Sequence, residues 1–179
     1  LILPDSIQRG SLSIRNGRIQ KIYKNSKSSA NAKGERIDLR GGFLAPGFVD
    51  IHIHGALGRD TMEAKMDAFR EITEYHLKGG TTSLTLTTLS ASQKDILKTL
   101  EAIKPIHNQS VGGARVVGVH VEGPFINKIK AGAQNPAYCR NPTAREWGPI
   151  LKYGKLITQM TIAPELPRAR SLIKALRKN

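Results

Sequence analysis

The chain has 179 residues, the length of one domain or slightly more, and its 39% of hydrophobic residues is enough to bury a core. It has no run of about eighteen apolar residues, and its opening segment LILPDSIQRG lacks the pattern of a secretory signal peptide. The single cysteine, Cys139, excludes an internal disulfide and is typical of a reducing compartment. We therefore expect a cytoplasmic protein without membrane contact.

The charge is strongly basic, with 28 Lys and Arg against 14 Asp and Glu and a net charge of +14. Such a balance attracts phosphorylated ligands and polyanions through long-range electrostatics. The basic residues are scattered over 15–40, 94–104 and 168–178, and aromatic residues make up only 5%. This pattern favours a solvated basic surface. Nucleic-acid binding is the rival hypothesis, and we do not expect it.

The first 45 residues have β character. Residues 1–23 alternate in the manner of strands, and Asn16-Gly17 predicts a tight hairpin turn, because both central positions of a primed turn need positive φ. Residues 24–36 are small and polar and predict a loop. Strand character returns over 36–55, interrupted by Pro46-Gly47.

From residue 46 onward, predicted strands alternate with predicted helices. The elements are a helix over 62–78 stopped by Gly79-Gly80, a helix that begins at a Ser92–Asp95 capping box and ends before Pro105, a final helix over 166–176, and four barrel strands over 48–54, 81–88, 116–122 and 157–163. A β-α-β-α-β-(loop)-β-α order indicates parallel strands joined by right-handed crossovers.

A pair of histidines, His52 and His54, lies near the end of the first of these strands. Their i, i+2 spacing places both imidazoles on one face of the strand. Two adjacent imidazoles suit a borderline-soft divalent metal ion. The alternative is two partly buried histidines that hydrogen-bond to neighbours, because a metal site needs further ligands.

A second polar cluster, GVHVEGPF over 118–125, follows the same arrangement. His120 and Glu122 share one face of a strand, and Gly123-Pro124 ends it directly after the carboxylate. An inward-facing glutamate is costly to bury unless a cation or hydrogen-bond donors satisfy it. The alternative is an exposed glutamate on a turn. Two histidine-bearing strand ends in one βα series favour the metal site.

Four segments taken together resemble the N-acetylglucosamine-6-phosphate deacetylases of the amidohydrolase superfamily: LAPGFVDIHIHG, GGTTSLTLTT, GVHVEGPFINKIKAGAQNP and TIAPE. The resemblance implies an α/β fold, a (β/α)₈ TIM-type barrel beside a small β-sandwich domain. We expect residues 1–45 to be the N-terminal part of that β domain. Residues 46–179 would be the first four βα units of the barrel, with the C-terminal half absent.

The resemblance also implies a site. A residue matching Glu122 holds a divalent metal ion together with histidines from later strands, and residues matching His52 and His54 help to hold a second ion. One or two ions of Zn, Fe or Mn per full-length subunit are expected. The loop over 130–136 contacts the sugar, which assigns substrate contacts to Ala133, through its backbone, and to Gln134, where many relatives carry His.

No catalytic residue is expected within the chain, since the acid–base aspartate of the family lies beyond Asn179. His76 and His107 are interpreted as surface or core residues, and His120 as a residue that supports a ligand. Because the chain holds only four of eight barrel strands, it is either a fragment or a half-barrel that assembles with a partner. The fragment is favoured.

The function implied is metal-dependent deacetylation of N-acetylglucosamine 6-phosphate, a small phosphorylated amino sugar, to glucosamine 6-phosphate and acetate in amino-sugar catabolism. The full-length protein is expected to be a homodimer, and the 179 residues are expected to be inactive alone. Two alternatives remain at this point. One is another amidohydrolase, such as a cyclic-amidase-like member. The other is a non-catalytic basic module that binds nucleic acid.

Overall fold

A computed structural model describes residues 1–24 and 34–178 of the chain. The chain divides into two compact units, Leu1–Pro46 and Gly47–Asn179. Most of the loop predicted over 24–36 lies outside the described residues. No helix in the described part of the chain has the length and apolar character that a membrane crossing needs.

The first unit consists of two antiparallel strand pairs. Its strands are β1 (Ile2–Leu3), β2 (Ser6–Ile7), β3 (Ser11–Arg15) and β4 (Arg18–Tyr23). The turn between β3 and β4 is the predicted one, with φ of 53° at Asn16 and 69° at Gly17. The strand character expected over 36–47 is wrong. Among those residues Arg40 and Gly41 have positive φ and Gly42 N–H donates to the Leu39 carbonyl, which forms a turn instead of a strand.

The second unit is built on a four-stranded parallel sheet of β5 (Phe48–Ile53), β8 (Thr81–Thr87), β9 (Arg115–Glu122) and β10 (Ile157–Thr161). The strand order in this sheet is β10-β9-β8-β5, and a small hairpin of β6 (Gly55–Ala56) and β7 (Arg59–Asp60) follows β5. The helices are α1 (Met66–Lys78), α2 (Gln93–Ile103), α3 (Ala144–Leu151) and α4 (Ala169–Leu176). The predicted parallel α/β arrangement is confirmed.

The sheet is curled. The Gln159 side-chain amide on β10 donates to the Ile51 carbonyl on β5 at 2.6 Å, although these two strands are the opposite edges of the sheet. A flat sheet would hold its outer strands about three strand spacings of 4.8 Å apart. The curl makes the unit part of a TIM-type barrel, and the predicted fold class is confirmed.

The core lies on the convex, helix-covered face of the sheet. Leu84 and Leu86 of β8 and Val119 and Val121 of β9 are fully buried there. They belong to one apolar cluster with helix residues that include Phe69, Ile72, Ile96, Leu100, Ile150 and Leu172. Full burial of each such side chain stabilises the fold by about 1.5–3 kcal/mol. Because side chains alternate along a strand, the opposite, concave face carries the polar residues.

Three helix predictions need correction. The final helix, expected over 166–176, begins at Ala169, because Arg168 before it has φ of 70°. The helix expected over 62–78 begins at Met66, because Asp60 and Glu63 form a capping box around a separate 3-10 turn that ends at Ala64 with φ of 54°. The segment between the third and fourth barrel strands, which was expected to be a loop, contains α3. Helix propensity does not predict this helix, because it contains Gly148 and Pro149. In contrast, the predicted Ser92 cap of α2 is confirmed, since its hydroxyl accepts from Asp95 N–H.

Candidate metal centre

Three side chains converge at the carboxyl end of the sheet. His52 and His54 extend from the end of β5, and Glu122 is the last residue of β9. Glu122 Oε2 lies 2.9 Å from His54 Nε2 and 3.8 Å from His52 Nε2, and the two Nε2 atoms are 3.1 Å apart. One ligand atom from each residue lies within 4.8 Å of the others. The three residues predicted as metal ligands, from the first and third barrel strands, therefore lie close together in the structure.

The end of β8 holds the strands on both sides of it. Thr87 and Thr88 are both fully buried. The Thr87 hydroxyl accepts from Ile53 N–H of β5 at 2.9 Å, and the Thr88 hydroxyl accepts from Glu122 N–H of β9 at 3.2 Å. Two adjacent threonines thus set the separation between the histidine pair and the glutamate. In the sequence, Thr87 and Thr88 predicted only a β-branched strand. Their hydroxyl groups at the end of a barrel strand are the signal that could have indicated this bonding role.

His120 lies beside the three converging side chains and is 4% exposed. Its ring meets that of His52 edge-on, with centroids 4.8 Å apart, and its Nε2 lies 2.7 Å from the Thr161 hydroxyl of β10. Burial, with a smaller contribution from His52, lowers the pKa of His120 below its usual value. The lowered pKa favours the neutral form of the His120 ring.

The loop after β9 contributes Gln134, which is 8% exposed. Its amide nitrogen donates to Glu122 Oε2 at 2.8 Å, and its amide oxygen accepts from Ser90 N–H at 2.6 Å. Ala133, the other predicted substrate contact, is exposed. The substrate roles of both residues remain predictions.

A tight turn at Gly123 leads from Glu122 into that loop. Gly123 has φ of +74° and precedes Pro124 through a cis peptide bond. A Cβ at this position would overlap the Ser90 hydroxyl, so only glycine lets the chain pass this close to Ser90. The turn therefore places Ser90, Gln134 and Glu122 in one packed group.

The hairpin after His54 is held by a network around Arg59. Its guanidinium binds Glu63, Asp67 and Glu71 at 2.9–3.0 Å. The hydrogen bonds from Arg59 hold the pKa values of Glu63 and Asp67 below their usual range. Because Thr61 N–H donates to the His54 carbonyl at 2.7 Å, this hairpin also fixes the backbone at the site.

The three converging residues fit a divalent metal ion. Two imidazoles and one carboxylate are donors that suit Zn²⁺, Fe²⁺ or Mn²⁺. The buried hydroxyls of Thr87 and Thr88 accept from the backbone N–H groups of Ile53 and Glu122, so buried contacts place the strands that carry these donors. His76 and His107 lie outside the group: His76 is on α1 and approaches the Gly55 carbonyl at 3.4 Å, while His107 follows α2.

Fold and site together define part of a (β/α)₈ barrel with a candidate metal centre at the carboxyl end of its strands. Active sites of such barrels are found at that end. No protein-family model matches the chain. Individual relatives do.

The chain is 35% identical to N-acetylglucosamine-6-phosphate deacetylase of Mus musculus over 177 residues, which cover 96% of the chain and 43% of that protein. It is 32% identical to the Lysinibacillus sphaericus deacetylase of the same name over 167 residues, covering 91% of the chain and 42% of that protein. The solved structure of the Thermotoga maritima deacetylase superposes with a TM-score of 0.71 at 32% identity, covering 93% of the chain and 41% of that structure.

Over most of its own length the chain is therefore similar to the N-terminal part of N-acetylglucosamine-6-phosphate deacetylases, which confirms the resemblance found in the sequence. It spans about 43% of the length of the curated relatives that it matches.

Proposed function

We propose that this chain supplies the first half of the active site of a metal-dependent deacetylase, which hydrolyses N-acetylglucosamine 6-phosphate to glucosamine 6-phosphate and acetate in amino-sugar catabolism. The observation that carries the proposal is the convergence of His52, His54 and Glu122 within 4.8 Å at the carboxyl end of the half-barrel. A related structure, from Mycobacterium smegmatis, is a deacetylase in complex with N-acetyl-D-glucosamine-6-phosphate, which supports this class of substrate.

In this proposal His52, His54 and Glu122 hold one or two ions of zinc, iron or manganese. A bound divalent ion supplies Lewis-acid polarisation of the acetyl carbonyl and makes water more acidic. The protein residues supply orientation. Thr87 and Thr88 fix the backbones that carry the ligands.

Ala133 and Gln134 are proposed to contact the sugar from the loop after β9. Ala133 is exposed and can present its backbone to a hydroxyl group. The net charge of +14 favours the approach of a phosphorylated substrate over that of a neutral sugar. In this proposal the basic surface attracts phosphorylated substrates in general, and no single basic residue is assigned to the phosphate.

We propose further that the complete protein is a cytoplasmic homodimer. A free, buried Cys139 is compatible with a reducing compartment. The dimer is an implication of the family resemblance, and sedimentation of the complete protein measures it directly.

Zinc titration of the protein that contains this chain tests the centre. His54→Ala and Glu122→Gln should each lower Zn²⁺ affinity by more than the roughly 10–100-fold that loss of an outer partner costs. His107→Ala removes an imidazole from the far end of α2 and serves as the control. Equal zinc binding by His54→Ala and the unmodified protein would contradict the proposed centre.

Acetate release from N-acetylglucosamine 6-phosphate tests the reaction. The complete protein should turn over this substrate, and a chelator should abolish turnover. The 179 residues alone should show negligible turnover, because they span about 43% of the relatives and supply two histidines and one carboxylate to the described cluster. Turnover by the isolated 179-residue polypeptide would refute this division of the site.

A further inference from the structure

Gln134 is buried between two elements of the candidate metal centre, and it does not extend into solvent. It is 8% exposed, and both ends of its amide group are hydrogen-bonded to protein atoms. One end meets the backbone of Ser90, just after β8, and the other meets the carboxylate of Glu122 at the end of β9. The side chain thus links the loops that follow two neighbouring barrel strands.

The chemistry of the two partners allows one orientation of the amide group. Ser90 N–H can only donate, so the amide oxygen must face it; an ionised carboxylate can only accept, so the amide nitrogen must face Glu122. Flipping the amide would place two acceptors together at one end and two donors at the other. The N–H···O bond to Glu122 is therefore set by the Ser90 backbone.

The oxygen that Gln134 binds is the oxygen of the candidate centre. Within the described residues, the side-chain contacts of Glu122 all fall on Oε2: 2.8 Å to Gln134 Nε2, 2.9 Å to His54 Nε2 and 3.8 Å to His52 Nε2. A hydrogen bond from an amide orients a carboxylate without neutralising its charge, whereas a lysine or arginine at this position would compete with a cation. Gln134 thus preserves the negative charge that a metal ion requires.

The anchor of this arrangement, Ser90, is buried and closely packed. Ser90 is 6% exposed, and its hydroxyl is packed against Gly123, where no side chain fits, and lies 3.8 Å from the Cys139 thiol. A fixed Ser90 N–H holds the Gln134 amide, which in turn holds the Glu122 carboxylate. Gln134, although it lies in a loop, thus supports the candidate ligand Glu122.

We propose that Gln134 is a positioning residue for the metal centre, locking the Glu122 carboxylate with Oε2 directed toward His52 and His54. This inference rests on the proposed function, because it assumes that Glu122 is a ligand. It gives Gln134 a role separate from the sugar contact proposed above. Partners that orient a ligating carboxylate change metal affinity by about 10–100-fold when they are removed.

The test is Zn²⁺ affinity of the protein that contains this chain, measured against a competing chelator, together with the melting temperature of the metal-free protein. Gln134→Met keeps the length of the side chain and removes both hydrogen bonds. Gln134→Asn keeps the amide but is one methylene shorter and cannot reach both partners. Each variant should bind Zn²⁺ about 10–100-fold more weakly than the unmodified protein. If Gln134→Met fails to fold, the asparagine variant alone decides.

Gln93→Met is the matched control. The Gln93 amide donates to the Arg145 and Glu146 carbonyls at 2.8 Å, so the same substitution removes two structural hydrogen bonds away from the centre. It should lower the melting temperature and leave Zn²⁺ affinity unchanged. If Gln134 had only a structural role, its variants would also have a lower melting temperature and unchanged Zn²⁺ affinity. Unchanged Zn²⁺ affinity in a folded Gln134→Asn variant would therefore overturn the inference.

His54→Ala, measured in parallel, separates the two proposals. If its Zn²⁺ affinity falls while that of the Gln134 variants does not, the centre stands and the positioning role is refuted. If His54→Ala binds Zn²⁺ normally, the centre itself is refuted.

Discussion

Strands β5 and β9 carry the same kind of motif, a histidine followed two residues later by a second polar side chain, but they are supported very differently. In β9, Val119 and Val121 are fully buried on the face opposite the motif. In β5, Val49, Ile51 and Ile53 occupy the corresponding face; Val49 and Ile51 are 65% and 56% exposed, and Ile53 is buried. Among the described residues, β9 is thus packed in the core along this face, whereas β5 is packed there only at Ile53.

Sheet position explains the difference. β9 pairs with β8 on one side and β10 on the other, whereas within the described residues β5 pairs only with β8. The register of the β5–β8 pair also shifts twice, once on each side of the Val49–Asp50 step. Strand pairing therefore places Glu122. Within the described residues, β5 is held by its pairing with β8 and by two further bonds, from Ile53 N–H to the Thr87 hydroxyl and from the Gln159 amide to the Ile51 carbonyl.

The largest expected effect contrasts two isoleucines on the same face of β5. Ile53 is 4% exposed and belongs to the core cluster, whereas Ile51 is 56% exposed. Ile53→Ala should lower the free energy of unfolding by about 2–5 kcal/mol. Ile51→Ala should change it by no more than about 1 kcal/mol. Chemical denaturation of the two variants measures both values, and equal losses would mean that β5 is packed more evenly than the structure shows.

A smaller effect is expected from the two threonines that end β8. Thr87→Val and Thr88→Val each remove a buried acceptor and should lower the free energy of unfolding by about 1–3 kcal/mol. Thr87→Val should also lower Zn²⁺ affinity by about tenfold, since it removes the hydroxyl that binds the backbone of Ile53, between the two histidines. Thr88→Val should have less effect on Zn²⁺ affinity, because pairing of Glu122 with Thr161 of β10 still holds β9 in place. A greater loss for Thr88→Val would reverse the comparison.

The smallest effect concerns the Arg59 network beside β5. The folded protein holds the pKa values of Glu63 and Asp67 below their ordinary values of 4.5 and 3.8. Stability from these groups is thus present above the ordinary values and is lost as the pH falls through the lower folded values. Arg59→Met should reduce this acid dependence, visible as a flatter plot of melting temperature against pH in the acid range.

Lys104→Met is the control for that measurement, because it removes one exposed ion pair, Lys104 to Glu101 at 3.6 Å, away from the site. Its acid dependence should follow that of the unmodified protein. An unchanged slope in Arg59→Met would show that the network does not persist in solution.

Local patterns were sufficient for much of the fold and for the identities of the converging residues. The Asn16-Gly17 turn, the Ser92 cap and the alternation of strands with helices follow from short-range backbone preferences and periodicity, which operate within a few residues. The i, i+2 spacing of His52 with His54 and of His120 with Glu122 places each pair on one strand face for the same reason.

Other features depended on contacts between distant segments. The helix α3 forms despite Gly148 and Pro149 because packing of Ile150 in the core outweighs propensity. The helix α1 begins at Met66 because the 3-10 turn capped by Asp60 and Glu63 ends at Ala64, just before it. Likewise, a polar loop gave no indication that Gln134 would be buried against Glu122 and Ser90. Periodicity identifies which residues of one strand share a face. The distance between side chains of different strands is set only when the sheet curls and its register is established.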